Sequence, residues 1–492
     1  MDDRLEYIIE DGLKARADEP VLWWQGATMN GADVLSLIEE DIARLKDAGF
    51  SEGQRIMTLL PNCPALVALS AAVWSLKGTL IPMNMRAGRD NLLPTIELLQ
   101  PFAIFIGRGD AKAAEGVEGY AIAETELDGC VDAFKGMTKQ PTDPDLAVFF
   151  ATSGTTGLPK AVPLTHDNLI SNVDSSVEAI GATKDDSVLW VLPNFHSFGF
   201  TLGMLLPLRL HSMQVIVPLF MPPLATLQAI RDGKCTLLLL VPAMMDFLKR
   251  AAAHSDVKAD TVKCIITGGD RLNTKLDEAA VALFGVPIHE GYGTTECSPV
   301  VAVNRPREGR KLGTIGPVLP GYEWEVRDRE TGEALPPNTP GVLFVRGRSV
   351  FHGYYMQPEA TAERLSPDGW YNTGDVVEYD EDGYLTVLDR LTDIIIVGGF
   401  NVYPQEVERV LNSHPAVALS AVVSMKHKVQ GEIPRAFIVV KPDMQLTERE
   451  VIDFCKDRLA GYKVPRKINF VEELPLSPAG KVLRRELRKA KA

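Results

Sequence analysis

Residues 151–166 read ATSGTTGLPKAVPLTH and directly follow the apolar run LAVFF at 146–150. Gly154 and Gly157 let the backbone approach an anion closely, Thr152, Ser153, Thr155 and Thr156 add hydroxyl donors, and Lys160 supplies a positive charge. This combination suits the cradling of a polyphosphate. It is not a Walker loop, because Pro159 stands where GxxxxGK[ST] needs its second glycine and Ala161 follows the lysine. The same composition also describes a Ser/Thr/Gly hairpin that holds no ligand.

Further segments carry chemistry of their own. GYGTTE at 291–296 gathers an aromatic ring, hydroxyls and a carboxylate: Tyr292 offers a stacking face to a purine, Thr295 a donor to a phosphate, and Glu296 a hard oxygen ligand to Mg²⁺. Read alone, it is also a tight glycine turn with a surface glutamate. Asp375 closes YNTGD at 371–375 and is an acceptor of the kind that binds a ribose diol, although an aspartate after such a turn also serves as a local cap. His196, in LPNFHSFG at 192–199, is an imidazole among apolar and aromatic residues, a setting equally suited to a structural histidine.

With DRLTDIIIVGGFNVYP at 389–404 and PLSPAGK at 475–481, these motifs stand in the order and at the intervals of the AMP-forming acyl-CoA synthetases, members of the adenylate-forming superfamily, which the chain resembles over nearly its whole length. The resemblance implies ATP, Mg²⁺ and CoA as co-substrate, with the 152–157 loop and Lys160 on the phosphates and Gly268 and Gly269 lining the adenine and acyl pockets. It places Tyr292 on the adenine, Thr295 on the α-phosphate, Glu296 on the metal, and Asp375 and Arg390 on the ribose. It makes Lys481 the adenylation lysine, Thr392 the hinge of a mobile C-terminal domain, and Gly398 and Gly399 the loop that passes the pantetheine arm. His196 falls at the acyl pocket. Two departures are Ala161, where glycine is usual, and uncharged Thr392, where aspartate or lysine is usual.

The candidate acyl lining of Phe195, His196, Phe200, Gly293 and Val300 includes no acidic residue, and FHSFGFTLG lacks the aspartate with which amino-acid-activating relatives pair an ammonium group. The chain looks most like the bacterial medium- to long-chain fatty acid branch. Gly293 occupies the position at which acetate-activating relatives carry a pocket-closing tryptophan, so the resemblance implies an open channel there. An aryl acid ligase, a synthetase that loads an acyl carrier protein, an acyl-AMP ligase that uses no CoA, and an inactive homologue acting as a binding module are the competing readings.

The elements that must hold these motifs are legible as well. The runs 187–193, 214–218, 235–242 and 263–269 are short, mostly apolar on both faces and bounded by turn residues, as strands buried in large sheets are. Residues 64–77 form an all-round apolar helix, and from about residue 312 Gly/Pro turns between alternating strands predict a β-barrel-like subdomain. Pro404 starts a helix, and Thr447 with Glu450 has capping-box spacing. The expected fold is α/β: a large N-terminal domain of layered α/β subdomains with the barrel-like part (1–390), followed by a small mobile α+β domain (391–492).

Composition sets the frame. The 492 residues are 46% hydrophobic and 24% charged, with 40 Gly and 33 Pro, which excludes collagen-like and largely disordered chains. A net charge of −14 argues against nucleic-acid binding by general attraction. Six scattered cysteines without a CxxC pair, and an acidic start unlike a signal or transit peptide, predict a cytoplasmic protein without a cysteine-bound zinc. The most apolar stretch, 189–208, is broken by Pro193, Asn194, His196 and Pro207, so no membrane span is expected, while peripheral membrane contact and a monomeric or homodimeric state stay open.

Overall fold

The short apolar runs become strands because they are too brief for helices and apolar on both sides, which suits them to sheets covered on both faces. The computed structural model describes residues 4–115, 117, 119–137, 143–153, 159–270, 272, 274–306, 309–398, 400–427, 430–476 and 482–489. The chain divides into two compact units, one of residues 1–323 and 345–371, the other of residues 324–344 and 372–492.

The first unit holds two large sheets. The eight-stranded one runs in the order Val300–Val303, Ile288–Gly293, Cys264–Thr267, Leu237–Leu240, Ser187–Trp190, Met213–Ile216, Pro20–Trp24, Ala27–Asn30. The six-stranded one runs Ile122–Thr125, Ala103–Gly107, Arg55–Leu59, Thr79–Pro82, Leu146–Ser153, Pro159–Thr165. In the first sheet the outermost pair at each end is antiparallel and the pairs between are parallel. The second is parallel up to its last pair, the hairpin 146–165. Strands with their chemistry-bearing turns at the carboxyl ends are what such sheets offer a ligand.

The helix Pro64–Ser75 is buried on every side, as its uninterrupted apolar sequence requires. Trp74 meets Phe200 edge to face with ring centres 6.3 Å apart and donates its indole N–H to the Ala147 carbonyl at 2.9 Å. Just before that helix, buried Asn62 donates to the Leu192 carbonyl at 2.9 Å, and its own amide oxygen accepts the Asn194 backbone N–H at 3.1 Å. These bonds tie the end of one sheet's strand Arg55–Leu59 to the end of the other's strand Ser187–Trp190. A buried amide left unpaired would be costly, so the pair also fixes the register of the two layers.

The second unit contains most of a four-stranded sheet in the order Tyr322–Arg327, Gly341–Gly347, Tyr371–Tyr379, Leu385–Arg390, the counterpart of the expected barrel-like texture. It also holds a sheet in the order Phe400–Val402, Ile395–Val397, Gly431–Val440, Val417–His427, with Lys467–Phe470 pairing in parallel with Gly431–Val440. The helices Pro404–Asn412 and Glu448–Lys456 bury Val407, Leu411, Val451 and Cys455 in the core of this unit. Proline opens the first helix, and the Thr447/Glu450 capping box opens the second. The fold is thus mixed α/β, with a large N-terminal part built on sheets and a small C-terminal domain. Among the described residues no helix is long and apolar enough to cross a membrane.

Candidate active site

Four sequence motifs of the first unit follow the carboxyl ends of strands. The hairpin pairs Thr152 with Lys160 and Ser153 with Pro159. Gly154, Thr155, Thr156 and Gly157 lie outside the described residues, as do Gly399 and Lys481. The glycine pair 268–269 follows strand Cys264–Thr267, which lies parallel to strand Ile288–Gly293 carrying Tyr292. A Cβ at Gly268 would stand 3.3 Å from the Phe198 ring, which brings the 195–200 segment beside both strands.

Lys160 and Glu296, 136 positions apart in sequence, meet through a residue that the motifs did not single out. The Lys160 Nζ stands 4.5 Å from the centre of the Tyr354 ring, and the Tyr354 hydroxyl donates to Glu296 Oε1 at 2.7 Å. Burial, and then the Glu296 charge, pushes the Tyr354 phenol well above its usual range, so it remains a donor at working pH. Buried Tyr371 lies beside the same hydroxyl. Next to Glu296, the Thr295 and Ser197 hydroxyls are 3.3 Å apart. Tyr354 had one legible signal, a doubled tyrosine after Gly353, but nothing in the spacing says that it faces residues 160 and 296.

The helix His166–Ile180, which follows the hairpin, explains why these segments converge. Its first turn is closed by a Thr165/Asn168 capping box. Asn168 also donates its amide to the Arg348 and Val350 carbonyls at 2.6 and 3.2 Å. One turn on, Asn172 donates to the Cys297 and Val300 carbonyls at 3.0 and 2.8 Å and accepts the Val300 N–H at 3.1 Å. One buried helix face therefore positions the turn carrying Glu296 and the segment leading to Tyr354. Two asparagines at i and i+4 on an otherwise apolar face are the sequence signal of such a role.

The segment expected to line the acyl pocket begins after strand Ser187–Trp190. His196 is exposed, and its Nδ1 accepts the Phe198 N–H at 3.2 Å. Phe195 is half-buried; Phe200 lies in the core, edge to face with Trp74 and with Phe150. Residues Gly199–Leu205 form a π-helical turn, a wide geometry frequent at functional sites. Val300 is buried, with both backbone polar groups held by Asn172. At Gly293 a Cβ would come within 2.0 Å of the Pro299 carbonyl oxygen. Backbone packing in the turn 293–300 therefore already requires glycine there, independently of any channel.

In the second unit Asp375 and Arg390 face each other across the ladder of strands Tyr371–Tyr379 and Leu385–Arg390, with an ion pair at 3.3 Å. Asp375 is buried and its N–H donates to Thr373 Oγ1 at 3.1 Å, while the Arg390 side chain is 55% exposed and so accessible to a ligand. Thr392 is exposed in the turn 391–393 that follows. Gly398 is exposed with φ +57°, and its N–H donates to the Gln430 carbonyl at 3.0 Å.

Among the described residues no three His, Cys, Asp or Glu side chains are gathered to hold a metal ion. A Mg²⁺ at Glu296 would take that carboxylate and complete its shell with phosphate oxygens and water. The donor set thus fits an ion that arrives with a nucleotide.

Comparison with known proteins gives this geometry a family. Residues 9–355 match the model of the AMP-binding enzyme family, and residues 406–481 match the AMP-binding enzyme C-terminal domain. The chain is 32% identical to 4-coumarate–CoA ligase 1 of Arabidopsis thaliana over 93% of its own length and 87% of the relative's. It is 30% identical to the long-chain-fatty-acid–CoA ligase of Bacillus subtilis (strain 168), over 98% and 94%. Among solved structures it is similar to ATP-bound MatB from Rhodopseudomonas palustris, with a TM-score of 0.88 and 28% identity over 99% and 98% of the two chains. It is also similar to the o-succinylbenzoate CoA synthetase of Bacillus subtilis in complex with its acyl-adenylate intermediate, with a TM-score of 0.84 and 27% identity over 98% of each chain. With its motifs in order, the turn carrying Glu296 and the hairpin lysine brought together, and the family match spanning most of its length, the chain belongs to the AMP-binding enzymes.

Proposed function

We propose that this protein activates a carboxylic acid with ATP to an acyl-adenylate and transfers the acyl group to CoA. The observation that carries the reading is the meeting of Lys160 and Glu296 through Tyr354. A cation and a metal-binding carboxylate held together at the end of a Ser/Thr/Gly hairpin suit the phosphates of a nucleotide. Similarity to CoA ligases for coumarate, fatty acids and succinylbenzoate supports the same reaction class.

In the first step a carboxylate oxygen attacks the α-phosphorus, the bond to the β-phosphate oxygen breaks, and pyrophosphate leaves. Lys160 holds phosphate oxygens, Thr295 donates to the α-phosphate, and Lys481 neutralises the developing charge, which is the protein's main task in phosphoryl-type transfer. Mg²⁺ bound at Glu296 supplies Lewis-acid polarisation of the phosphates. Tyr292 stacks the adenine, Gly268 and Gly269 border it, and Asp375 and Arg390 hold the ribose. In the second step the CoA thiolate attacks the acyl carbonyl, the C–O bond to the phosphate breaks, and AMP departs. The proposal includes a pivot at Thr392 between 1–390 and 391–492, which exchanges Lys481 for the Gly398–Gly399 loop.

For the acid, we favour a medium- or long-chain fatty acid, because the half-buried Phe195 and Phe198 offer apolar surface. His196 lies at the same segment. An aryl acid is the second reading, favoured by 32% identity to 4-coumarate–CoA ligases against 30% to the fatty acid ligase. The test measures AMP and product mass with octanoate, palmitate, 4-coumarate, 2-succinylbenzoate and acetate, each with CoA, acyl carrier protein or no acceptor. Alkyl acyl-CoA with AMP is expected; a preference for either aryl acid overturns the fatty acid assignment. Product formed without CoA overturns the acceptor.

A further inference from the structure

Tyr354 takes part in neither chemical step above, yet it touches both charged side chains on which the first step depends. Its own placement is over-determined. Gly353 has φ +131°, and a Cβ there would come within 2.7 Å of Thr361, so the chain can turn at this point only without a side chain. The Tyr354 N–H donates to Thr361 Oγ1 at 2.9 Å, and the Tyr355 N–H donates to the Ala161 carbonyl, next to Lys160, at 3.0 Å. On the other side the Phe351 N–H donates to the Glu296 carbonyl at 2.8 Å, and the Phe351 ring packs edge-on against Tyr354 at 4.9 Å. The segment 351–355 is thus stitched at one end to the residue carrying the carboxylate and at the other to the strand carrying the lysine.

This arrangement has a chemical consequence. A glutamate on a half-buried turn such as this one still has several rotamers open to it and loses that freedom when it takes up an ion. A hydroxyl donating to Oε1 fixes the carboxylate beforehand and leaves Oε2 for the ion. The ring face beneath Lys160 likewise limits where the ammonium group can stand. We propose that Tyr354 is a positioning residue for nucleotide binding, which pre-orients Glu296 for the Mg²⁺ of Mg–ATP through its hydroxyl and Lys160 for the phosphates through its ring. The inference rests on the acid-activation reading and adds to it a division of labour within one side chain.

The experiment is equilibrium ATP binding, by dialysis or calorimetry, titrated with Mg²⁺ and accompanied by thermal melting. Tyr354→Phe keeps the ring and removes the donor, so ATP affinity without Mg²⁺ is expected to stay within about twofold of wild type, while the Mg²⁺ needed for half of the metal-dependent gain rises about tenfold. Tyr354→Leu removes both features and is expected also to weaken ATP binding without Mg²⁺ several-fold, as loss of a cation–π contact of roughly 1 kcal/mol implies. In a Glu296→Ala background the Tyr354→Phe change should have no further effect on the Mg²⁺ midpoint. A lower melting temperature with an unmoved Mg²⁺ midpoint, or the same shift in the Glu296→Ala background, overturns the positioning role and leaves the acid-activation reading standing. A wild-type protein that does not bind ATP, or binds it without regard to Mg²⁺, overturns both.

Discussion

Glu296 and Lys481 carry opposite charges, and the reaction scheme asks different things of them. Glutamine at 296 keeps the shape of the side chain and its ability to accept from Tyr354, but removes the charge that holds a divalent ion. Glu296→Gln is therefore expected to lose most turnover at limiting Mg²⁺ and to regain part of it at saturating Mg²⁺. A titration of rate against Mg²⁺ that overlays wild type would remove Glu296 from the metal site. Lys481→Ala should separate the two half-reactions: removal of one charge-stabilising donor costs ~3–4 kcal/mol, a factor of hundreds in adenylation, whereas thioester formation from supplied acyl-AMP should survive. Pyrophosphate exchange measures the first and acyl-CoA appearance the second. An equal fall in both would mean that Lys481 does not serve adenylation alone.

Between residue and molecule, the helix His166–Ile180 links the hairpin to the turn that carries Glu296. Asn172→Ala would remove the acceptor of the buried Val300 N–H and one donor from the Cys297 and Val300 carbonyls, which the Tyr322 hydroxyl also reaches at 2.8 and 3.1 Å. A buried N–H orphaned in this way costs about 1–3 kcal/mol, so chemical denaturation should show a loss of that order and Mg–ATP affinity should fall with it. Unchanged affinity in a destabilised variant would confine Asn172 to stability. The turn it supports is equally intolerant at Gly293, where even a methyl group meets the Pro299 backbone at 2.0 Å. Gly293→Ala is expected to destabilise by ~1–3 kcal/mol or to shift the turn, and ATP binding by the purified variant will register either effect. A tryptophan at the same place tests acyl length only after this backbone effect has been measured.

At the scale of the molecule, buried charges shape stability. Asp389 has no solvent exposure, and burial raises its carboxyl to about 6, against the opposing pull of N–H donors from Gln405 and Arg390 and the charge of Arg484. Because the folded value lies above the unfolded one, no cost arises below pH ~4; as pH rises through 6 the unfolded chain ionises more readily, and stability falls by an amount approaching about 3 kcal/mol. His166, lowered to about 3 by burial and by Arg4, has the opposite sign and loses stability as pH falls below its unfolded value. The two slopes offset each other in wild type, so the informative quantity is the difference between Asp389→Asn and wild type. That difference in melting temperature is expected to shift in favour of the variant between pH 4 and pH 7, and parallel curves would contradict the buried ionisation.

The amino-acid sequence by itself determined the class of the fold and supplied the motifs from which the site is proposed. Strand-like runs apolar on both faces can be buried only in covered sheets, and the strings at 151–166, 291–296, 371–375, 389–404 and 475–481 are local enough to be read as letters. Helix starts at Pro404 and Thr447 were legible for the same reason, since capping depends on residues within one turn. What only the tertiary structure decided is who meets whom. Tyr354 is an ordinary tyrosine until the 351–355 segment is bonded at once to Ala161 and Glu296. Asn168 and Asn172 read as polar residues on a helix until that face is covered, when their side chains must bond to carbonyls more than a hundred residues away. Gly293 reads in the motif as a position without a side chain, and only the packing shows that the Pro299 backbone leaves no room for one. Local chemistry is written in neighbouring residues; the free-energy cost of burying a polar group or overlapping a backbone exists only once distant segments have been packed together.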